Sequence, residues 1–465
     1  MNLLRALRLV PVAESRAGAG HFVIALVGAG GKTTALFQLA RQLQSPTVNR
    51  QSSIVNRQSS IILTATSHLG VWQIPLADRH LIAKSTHDLD TLPADGLTLV
   101  TGPLDGDRTR PLAPDLVEQL RATCHARDCP LLIEADGSRR LPLKAPAAHE
   151  PPIPACADLV IVVAGLTGLG QALDEDFVHR PHIFSELSGL PPGREITVEA
   201  LAHVLAHPQG GLKNIPRAAR RVVLLTQAES PALQSQGGRL AQLLLPAFDS
   251  ILVGSLHTAA FQTFERVAGV ILAAGASTRF GRPKQLLDWH GMPFVRAIAQ
   301  TALTAGLDPV LVVTGSRAEE IEAALHGLPV RLVRNEAWQE GQAGSIRAAV
   351  KSLAPSILSG AEVGAAIFLL ADQPQVNAPI LQALVERHRL DLPPALAPLV
   401  RDARANPVLF DRVAFPDLLE LRGDVGGRGL FHKYPPAYLP WHDERLLLDV
   451  DTPEQYRKLN EDESL

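Results

Sequence analysis

The feature that most constrains the fold of this chain is the alternation of short β-branched apolar segments with longer segments of helical periodicity. Such alternation is typical of α/β proteins, and segments that are apolar throughout predict strands buried on both faces of a mostly parallel sheet. The series of strands begins twice, each time before a glycine-rich turn. The predicted strands of the first series are 22–27, 61–65, 97–101, 131–135, 159–165, 222–226 and 251–254. Those of the second are 267–275, 309–315, 330–334, 365–371 and 446–450, with helices predicted over 293–305, 317–325, 343–353 and 377–389.

The two series predict two domains. At roughly 150 residues per domain, a chain of 465 residues is long enough for two or three. We place the boundary between 255 and 267, so that one domain covers 1–260 and the other covers 265–465.

Composition excludes several other classes of protein. Apolar residues make up 46% of the chain and charged residues 20%, which argues against global disorder. The net charge of −3 gives no electrostatic reason to expect binding to nucleic acid or to a membrane surface. The sequence shows no secretion signal and no apolar run of about 18 residues. Its three cysteines include no CxxC pair, so neither a disulfide framework nor a zinc site is predicted. We therefore expect a cytoplasmic protein that acts on small molecules.

The first glycine-rich turn, GAGGKTT (28–34), lies between a predicted strand and a helical segment. Glycines let backbone N–H groups converge and a helix N-terminus favours an anion, so the turn is suited to binding phosphate. The lysine can reach terminal phosphates and the first threonine can hold Mg²⁺. The predicted phosphate-binding residues are Gly28, Gly30, Gly31, Lys32, Thr33 and Thr34, with Thr33 as the metal ligand. Leu26 stands where the usual GxxxxGK[ST] motif has its first glycine, so the alternative is a turn that only tightens packing.

A carboxylate pair ends a later strand of the first series, in LLIEADG (131–137). Glu134 and Asp136 are two residues apart, so an extended chain directs both to the same side. Beside a phosphate-binding turn, such a pair predicts an acid that holds a metal or positions water. The alternative is an ordinary Asp-Gly turn at the end of a strand.

The second glycine-rich turn lies in VILAAGASTRFGRPKQLLDWHG (270–291). It contains Gly275, Ser277 and Gly281, with Arg279 and Lys284 as two cations at fixed offsets. This arrangement suits attack on the α-phosphorus of a nucleoside triphosphate, because N–H groups surround the phosphates while the cations spread charge over the leaving pyrophosphate.

Carboxylates that could hold a metal follow two strands of the second series. Asp372 follows AIFLL (366–370), and Asp449 and Asp451 lie in LLLDVDTPEQY (446–456). Carboxyl ends of neighbouring parallel strands converge where ligands bind in open α/β sheets, so Asp372 and Asp451 are the predicted ligands of Mg²⁺. For Asp451 the alternative is a helix N-cap, because Thr-Pro-Glu follows it.

The first half of the chain resembles the YqeC-like accessory proteins of selenium-dependent molybdenum hydroxylases. The resemblance lies in GAGGKTT, EADGSRRLPLKAPAAHEPPIP (134–154), LDEDFVHRP (173–181) and GGLKNIPRAARRVVLLTQAE (210–229), and it covers most of 15–255. It implies a P-loop NTPase-like parallel sheet that binds ATP or GTP, with Glu134, Asp136 and Lys144 near the phosphates. Gln227-Ala228-Glu229 stands where a base-reading Asn-Lys-x-Asp is found in GTPases, so the identity of the nucleotide is left open.

The second half resembles the MobA-like nucleotidyltransferases, and most closely the MocA-like molybdenum cofactor cytidylyltransferases. The resemblance lies in LAAGASTRFGRPKQLL (272–287), LADQP (370–374) and DVDTPEQY (449–456), and it covers nearly all of 267–465. It implies a Rossmann-like nucleotidyltransferase sheet in which Ala274 favours cytosine over guanine. It implies that the nucleotide-binding residues are Leu272, Ala273, Ala274, Gly275, Ser277, Gly281, Asn335 and Ser345. The catalytic residues would be Arg279, Lys284 and Asp372.

Together these features predict an enzyme of molybdenum cofactor maturation. The C-terminal domain would join CMP from CTP to molybdopterin with Mg²⁺ and release pyrophosphate, and the N-terminal domain would bind a nucleotide and assist maturation of an apo molybdenum hydroxylase. Two alternatives remain: a binding protein that delivers the cofactor without turnover, and a nucleotidyltransferase for another phosphorylated substrate.

Overall fold

The computed structural model describes residues 1–9, 21–44, 60–276, 283–353, 363–450 and 452–461. The chain divides into two compact units, Met1–Phe264 and Glu265–Leu465. Within the described residues, no helix is long and apolar enough to cross a membrane.

The N-terminal unit is built on one large sheet. In the described residues its strands are β1 Val23–Gly28, β2 Ile61–Ala65, β3 Arg79–Ile82, β4 Leu97–Thr101, β7 Leu131–Glu134, β9 Leu159–Gly165, β11 Arg220–Thr226, β12 Ser250–Ser255 and β13 Ala260–Phe264. Their order is β13-β12-β11-β9-β1-β7-β2-β4-β3. All neighbours are parallel except β13, which runs antiparallel to β12. The strand β1 therefore lies near the centre, between β9 and β7.

Short hairpins and helices complete this unit. The small strands are β5 Leu104–Asp105, β6 Arg108–Thr109, β8 Leu143–Lys144 and β10 Val178–His179. The helices are α1 Leu3–Ala6, α2 Lys32–Gln44, α3 Pro114–Ala126, α4 Pro181–Ser188, α5 Val198–Ala206 and α6 Pro231–Leu244. Side chains of β1 alternate between two apolar cores: Val23, Ala25 and Val27 enter one, Ile24 and Leu26 the other. Both faces of the strand are buried, which explains its unbroken apolar sequence.

The C-terminal unit has a second, mixed sheet. Its strands are β14 Val267–Leu272, β17 Val310–Thr314, β18 Arg331–Arg334, β19 Ala365–Leu370, β20 Ala395–Val400, β21 Ala403–Arg404, β22 Val408–Asp411 and β23 Ala437–Pro440. The order is β18-β17-β14-β19-β22-β20-β21, with β23 parallel to β20. The four strands from β18 to β19 are parallel, and β22 is antiparallel to β19.

A small hairpin and six helices surround this sheet in the described residues. The hairpin is β15 Asp288–Trp289 with β16 Met292–Pro293. The helices are α7 Phe294–Thr304, α8 Ala318–Ala324, α9 Gln342–Leu353, α10 Ala378–Asp391, α11 Phe415–Leu419 and α12 Pro453–Glu461.

The α/β class is confirmed, and one predicted strand is wrong. In place of a strand over 446–450 the chain forms a 3-10 helix, Glu444–Leu447, followed by irregular backbone. The side chain of Asp443 accepts a hydrogen bond from the N–H of Arg445 and caps this helical turn. A short apolar run does not distinguish a strand from a buried helical turn, so the cap decides the local structure.

Candidate functional site

The first glycine-rich turn packs tightly against β9. Gly28 and Gly30 have φ angles of 96° and 84°, in the region that favours glycine. A Cβ atom on Gly28 would lie 2.2 Å from the carbonyl oxygen of Val163, and one on Gly30 would lie 2.3 Å from the nitrogen of Gly165. The tight packing considered as an alternative from the sequence is therefore present at both glycines.

The backbone N–H groups of this turn fall into two sets. Those at the start already have acceptors: Gly28 donates to the carboxylate of Asp136 (3.1 Å to each oxygen), Ala29 to Val163 (2.8 Å) and Gly30 to Leu141 (3.0 Å). In the described part of the chain, no hydrogen bond occupies the N–H groups of residues 31–34, where α2 begins. These four donors are the ones left for a bound anion.

Lys32 lies within a buried network of charges. Its Nζ donates to the carbonyl oxygen of Gly28 at 2.6 Å and lies 3.3 Å from Oδ1 of Asp136. The other oxygen of Asp136 accepts from Nζ of Lys144 at 2.7 Å, and Lys144 also lies 2.8 Å from Glu150. The side chains of Lys32, Asp136 and Lys144 are each 2% exposed or less. The carboxylate of Asp136 therefore holds the base of the turn and two lysines together.

Glu134 and Thr33 form a second polar pair in front of this network. The hydroxyl of Thr33 donates to Oε2 of Glu134 at 2.6 Å. Burial raises the pKa of Glu134, although the positive charge of Lys32 and the hydrogen bond from Thr33 oppose this effect. A hydroxyl beside a buried carboxyl group at the end of β7 is an oxygen donor set of the kind that Mg²⁺ accepts.

A cavity of about 1100 Å³ opens over the turn. Of the predicted residues, Gly30, Gly31, Lys32, Thr33, Thr34 and Glu134 line it. Gly28, Asp136 and Lys144 instead line a smaller pocket. The large cavity is also lined by residues that were not predicted from the sequence: Trp72, Arg108, Arg139, Arg140 and Arg180. For two of them, Arg139 and Arg140, the available signal was their position a few residues after the predicted carboxylate pair.

The proline-rich segment 141–154 is held in place beside the cavity. Arg180 donates to both carboxylate oxygens of Glu150, at 2.7 and 2.9 Å. Burial alone would raise the pKa of Glu150, but hydrogen bonds from Arg180 and Lys144 outweigh it and lower the pKa to about 2. Nζ of Lys213 donates to the carbonyl oxygens of Ala147 and Ala148 at 2.7 and 3.0 Å. These hydrogen bonds fix the segment in position along one side of the cavity.

In the C-terminal unit, the second glycine-rich turn follows β14 at the centre of the parallel strands. Lys284 begins a short 3-10 helix, Lys284–Leu286, and its Nζ lies 3.7 Å from Oδ2 of Asp372. Asp372 comes two residues after β19, the neighbour of β14. The next residue, Gln285, donates to the carbonyl oxygen of Gly275 at 2.8 Å and so ties the two ends of the turn together.

Of the second predicted pair of carboxylates, Asp449 lies near the same edge of the sheet, although it does not follow a strand. Because 446–450 is not a strand, Asp449 does not follow a parallel strand as predicted. It nevertheless accepts a hydrogen bond from Nε2 of Gln373 at 2.9 Å, and Gln373 is the residue after Asp372. Asp451 lies outside the described residues, as do Ser277, Arg279 and Gly281, so their assigned roles stay predictions.

Of the other predicted nucleotide-binding residues, those near 272–274 and Asn335 lie at the ends of parallel strands, and Ser345 lies on a helix. Leu272 ends β14, and Ala273 and Ala274 follow it. Asn335 follows β18, and its Nδ2 donates to the hydroxyl of Ser345 on α9 at 3.1 Å. A separate cavity of about 190 Å³ extends from Leu272 towards Asn406 and Arg428.

Comparison with known proteins places each unit in a family. The MobA-like NTP transferase domain model matches residues 269–437, and the YqeC protein model matches residues 24–182. The chain therefore belongs to the YqeC family through its N-terminal unit and to the MobA-like NTP transferase family through its C-terminal unit, which is a nucleotidyltransferase.

Three relatives illustrate the match. YqeC of Escherichia coli (strain K12) is 33% identical over 225 residues, which are 46% of this chain and 80% of that protein. The purine catabolism protein PucB of Bacillus subtilis (strain 168) is 35% identical over 208 residues, 40% of this chain and 93% of PucB. Nicotine blue oxidoreductase of Paenarthrobacter nicotinovorans is 32% identical over 212 residues, 42% of this chain and 96% of that protein.

Proposed function

We propose that the C-terminal unit transfers CMP from CTP to the terminal phosphate of molybdopterin, giving a cytosine dinucleotide and pyrophosphate. The observation that carries this proposal is the approach of Lys284 to Asp372 at the carboxyl ends of β14 and β19, two adjacent parallel strands. A cation and a carboxylate at such an edge are suited to a triphosphate with its metal ion.

In this reaction a phosphate oxygen of the pterin forms a bond to the α-phosphorus of CTP. The bond from that phosphorus to the bridging oxygen of pyrophosphate breaks, and its electrons leave with the pyrophosphate. The ammonium group of Lys284 stabilises the negative charge that develops on the phosphates. Arg279, on the same turn, is the second cation of the proposal. Ala274, two residues after β14, is 5% exposed, and we assign it to the preference for cytosine.

The residues at this edge fit a divalent cation. The side chain of Asp372 is 37% exposed and Asp449 accepts a hydrogen bond from the neighbouring Gln373, and carboxylate oxygens are the ligands that Mg²⁺ prefers. Asp372 would hold the ion, with Asp451 as the second ligand of the proposal. When bound, Mg²⁺ supplies charge neutralisation at the phosphates.

For the N-terminal unit we propose a P-loop-like site that binds ATP or GTP. The unoccupied N–H donors of residues 31–34 would receive the phosphates, and Thr33 and Glu134 would hold Mg²⁺. Lys32 would reach the phosphates by leaving the carbonyl oxygen of Gly28. We further propose that this unit assists maturation of an apo molybdenum hydroxylase in the cytoplasm.

Incubation of the whole chain with CTP, Mg²⁺ and molybdopterin tests the C-terminal proposal. We expect release of pyrophosphate together with a cytosine dinucleotide, and slower turnover with GTP. Binding of CTP without pyrophosphate release would favour the alternative, delivery of cofactor without turnover. Turnover with other phosphorylated acceptors but not with molybdopterin would favour a transferase for another substrate.

Calorimetry tests the N-terminal proposal. ATP and GTP are titrated into the chain carrying Lys284→Ala, which weakens nucleotide binding by the other unit. Adding Lys32→Ala is expected to weaken the remaining affinity about tenfold, or about 1.4 kcal/mol, because a charge-assisted phosphate contact is lost. Lys84→Ala removes an exposed lysine of the same unit and serves as the control. Unchanged affinity in the Lys32→Ala variant would remove the phosphate-site interpretation.

A further inference from the structure

The large cavity of the N-terminal unit extends beyond the residues that would hold a nucleotide. At about 1100 Å³ it exceeds the roughly 300–1000 Å³ typical of a pocket for one small ligand. The order of strands shows where the extra volume lies. Trp72 comes after β2 and Arg108 begins β6 after β4, and both of these sheet strands lie beyond β7, on the side away from β9 and β11.

The lining of this far end combines an aromatic face with arginines. Trp72 is 61% exposed, although tryptophan is usually largely buried. The guanidinium carbon of Arg140 lies 5.1 Å from the centroid of its ring. Such a ring and guanidinium group can both stack on a flat ligand.

Three arginines (Arg108, Arg139 and Arg140) and one carboxylate (Asp107, 4.0 Å from Nε of Arg108) border this end, so its net charge is positive. Within the described residues, neither Arg139 nor Arg140 has a carboxylate within ion-pair distance. The pKa of His179, which also lines the cavity, is lowered to about 4 by burial and by the positive charges of Arg180, Lys144 and Arg139. Burial is the largest of these causes, and the three cations add to it while the carboxylate of Glu150 opposes it, so the cations near this imidazole outnumber the carboxylates.

The backbone that carries these arginines is strained. Arg139 and Arg140 have φ angles of 51° and 64°, a region that residues other than glycine rarely adopt. Two such residues in succession cost stability, and conformations of this kind cluster at functional sites. Both arginines of this strained turn line the cavity, and the turn begins three residues after Asp136.

We propose that this end of the cavity, bordered by Trp72, Arg108, Arg139 and Arg140, binds a second ligand, a planar aromatic anion, beside the nucleotide. The ring of the ligand stacks on Trp72 or on the guanidinium group of Arg140, and its phosphate or carboxylate pairs with the arginines. The part of this inference that concerns simultaneous binding rests on the proposed nucleotide site. Glu134, at the end of β7, would stand between the two ligands, because β7 separates β1 from β2 and β4 in the sheet.

Calorimetry on the whole chain, with naphthyl phosphate as the probe, tests this inference. We expect saturable binding, with much weaker binding of naphthol, which lacks the charge, and of inorganic phosphate, which lacks the ring. Trp72→Ala is expected to weaken the affinity for the probe about tenfold, because the aromatic face on which the ring stacks is lost. Arg140→Ala is expected to weaken it by about fivefold. Arg239→Ala removes an exposed arginine that does not line the cavity, and it should change nothing.

Two results would overturn the inference: equal binding of the probe by the wild type and the Trp72→Ala variant, or displacement of the probe by saturating ATP with Mg²⁺. The second result would mean that Trp72 stacks on the base of the nucleotide. If Lys32→Ala leaves ATP affinity unchanged while Trp72→Ala weakens probe binding, the nucleotide proposal fails and the second subsite stands.

Discussion

The two glycine-rich turns of this chain follow central strands of two different sheets. Their lysines nevertheless differ in how deeply they and their carboxylate partners are buried. Lys32 has a side chain 2% exposed, and its partner Asp136 is equally buried. The side chain of Lys284 is 11% exposed, and it lies 3.7 Å from Asp372, which is 37% exposed. A ligand at the first turn must draw Lys32 away from a buried partner, whereas a ligand at the second meets a carboxylate already in contact with solvent.

This difference shows that similar turns can bind phosphate at different energetic cost. Removing a lysine from a buried carboxylate leaves a desolvated charge, and here Lys144 remains to compensate Asp136. The second lysine on the same carboxylate therefore makes movement of Lys32 feasible. In the C-terminal unit the exposed carboxylate needs no such compensation, because water already solvates it.

The largest effect is expected at the second turn. Lys284→Ala should lower kcat for pyrophosphate release about 100- to 1000-fold, because a preorganised cation that stabilises developing charge is lost. Steady-state kinetics with CTP and the pterin acceptor measure this effect. Lys351→Ala, an exposed lysine of α9, is the control and should leave kcat unchanged. A loss smaller than threefold in the Lys284→Ala variant would contradict the assignment.

A smaller effect, on folding, should separate the two turns. Gly28→Ala should lower the free energy of unfolding by about 3 kcal/mol, because the new Cβ would clash with Val163 and the φ angle of 96° disfavours alanine. Gly275→Ala should change it by less than about 0.5 kcal/mol, because among the described residues the nearest atom to its Cβ would be Nε2 of Gln285 at 4.0 Å. Urea denaturation measures both. Equal effects of the two substitutions would show that the turns are packed alike.

The smallest effect concerns the proline-rich segment 141–154, beside the first turn. Glu150→Gln should lower the free energy of unfolding at pH 7 by about 2 kcal/mol, since partly buried Arg180 loses its carboxylate partner and buried Lys144 loses one of its two. The pKa of Glu150 falls from the ordinary 4.5 to about 2 on folding, so its contribution is complete above pH 4.5 and is lost as the pH falls towards 2. Urea denaturation at pH 7 and pH 3 should show the difference from wild type shrinking at the lower pH. A constant difference across this range would contradict the charge assignment.

Much of the architecture could be predicted from the sequence. Strands with unbroken apolar runs, such as β9 and β11, were predicted nearly to their ends, because burial on both faces leaves a local signal. The pairing of Thr33 with Glu134 also follows the prediction that the end of β7 faces the first turn. The error at 446–450 arose because Asp443 caps a helical turn inside an apolar run.

The far end of the large cavity could not be predicted in the same way. Trp72 and Arg108 reach it from segments after two other strands, and nothing in their local sequence marks them as neighbours of the first turn. Likewise, Asp449 reaches the edge near Asp372 through the amide of Gln373 rather than through a strand.

The sequence by itself determined two α/β units, each with a glycine-rich turn after a central strand, because these features depend on runs of neighbouring residues. Only the tertiary structure decided which donors of the first turn remain for a ligand. The N–H groups of Ala29 and Gly30 are taken by carbonyl oxygens of Val163 and Leu141, more than a hundred residues away. Whether a backbone donor is satisfied depends on atoms that the chain brings together only when it folds.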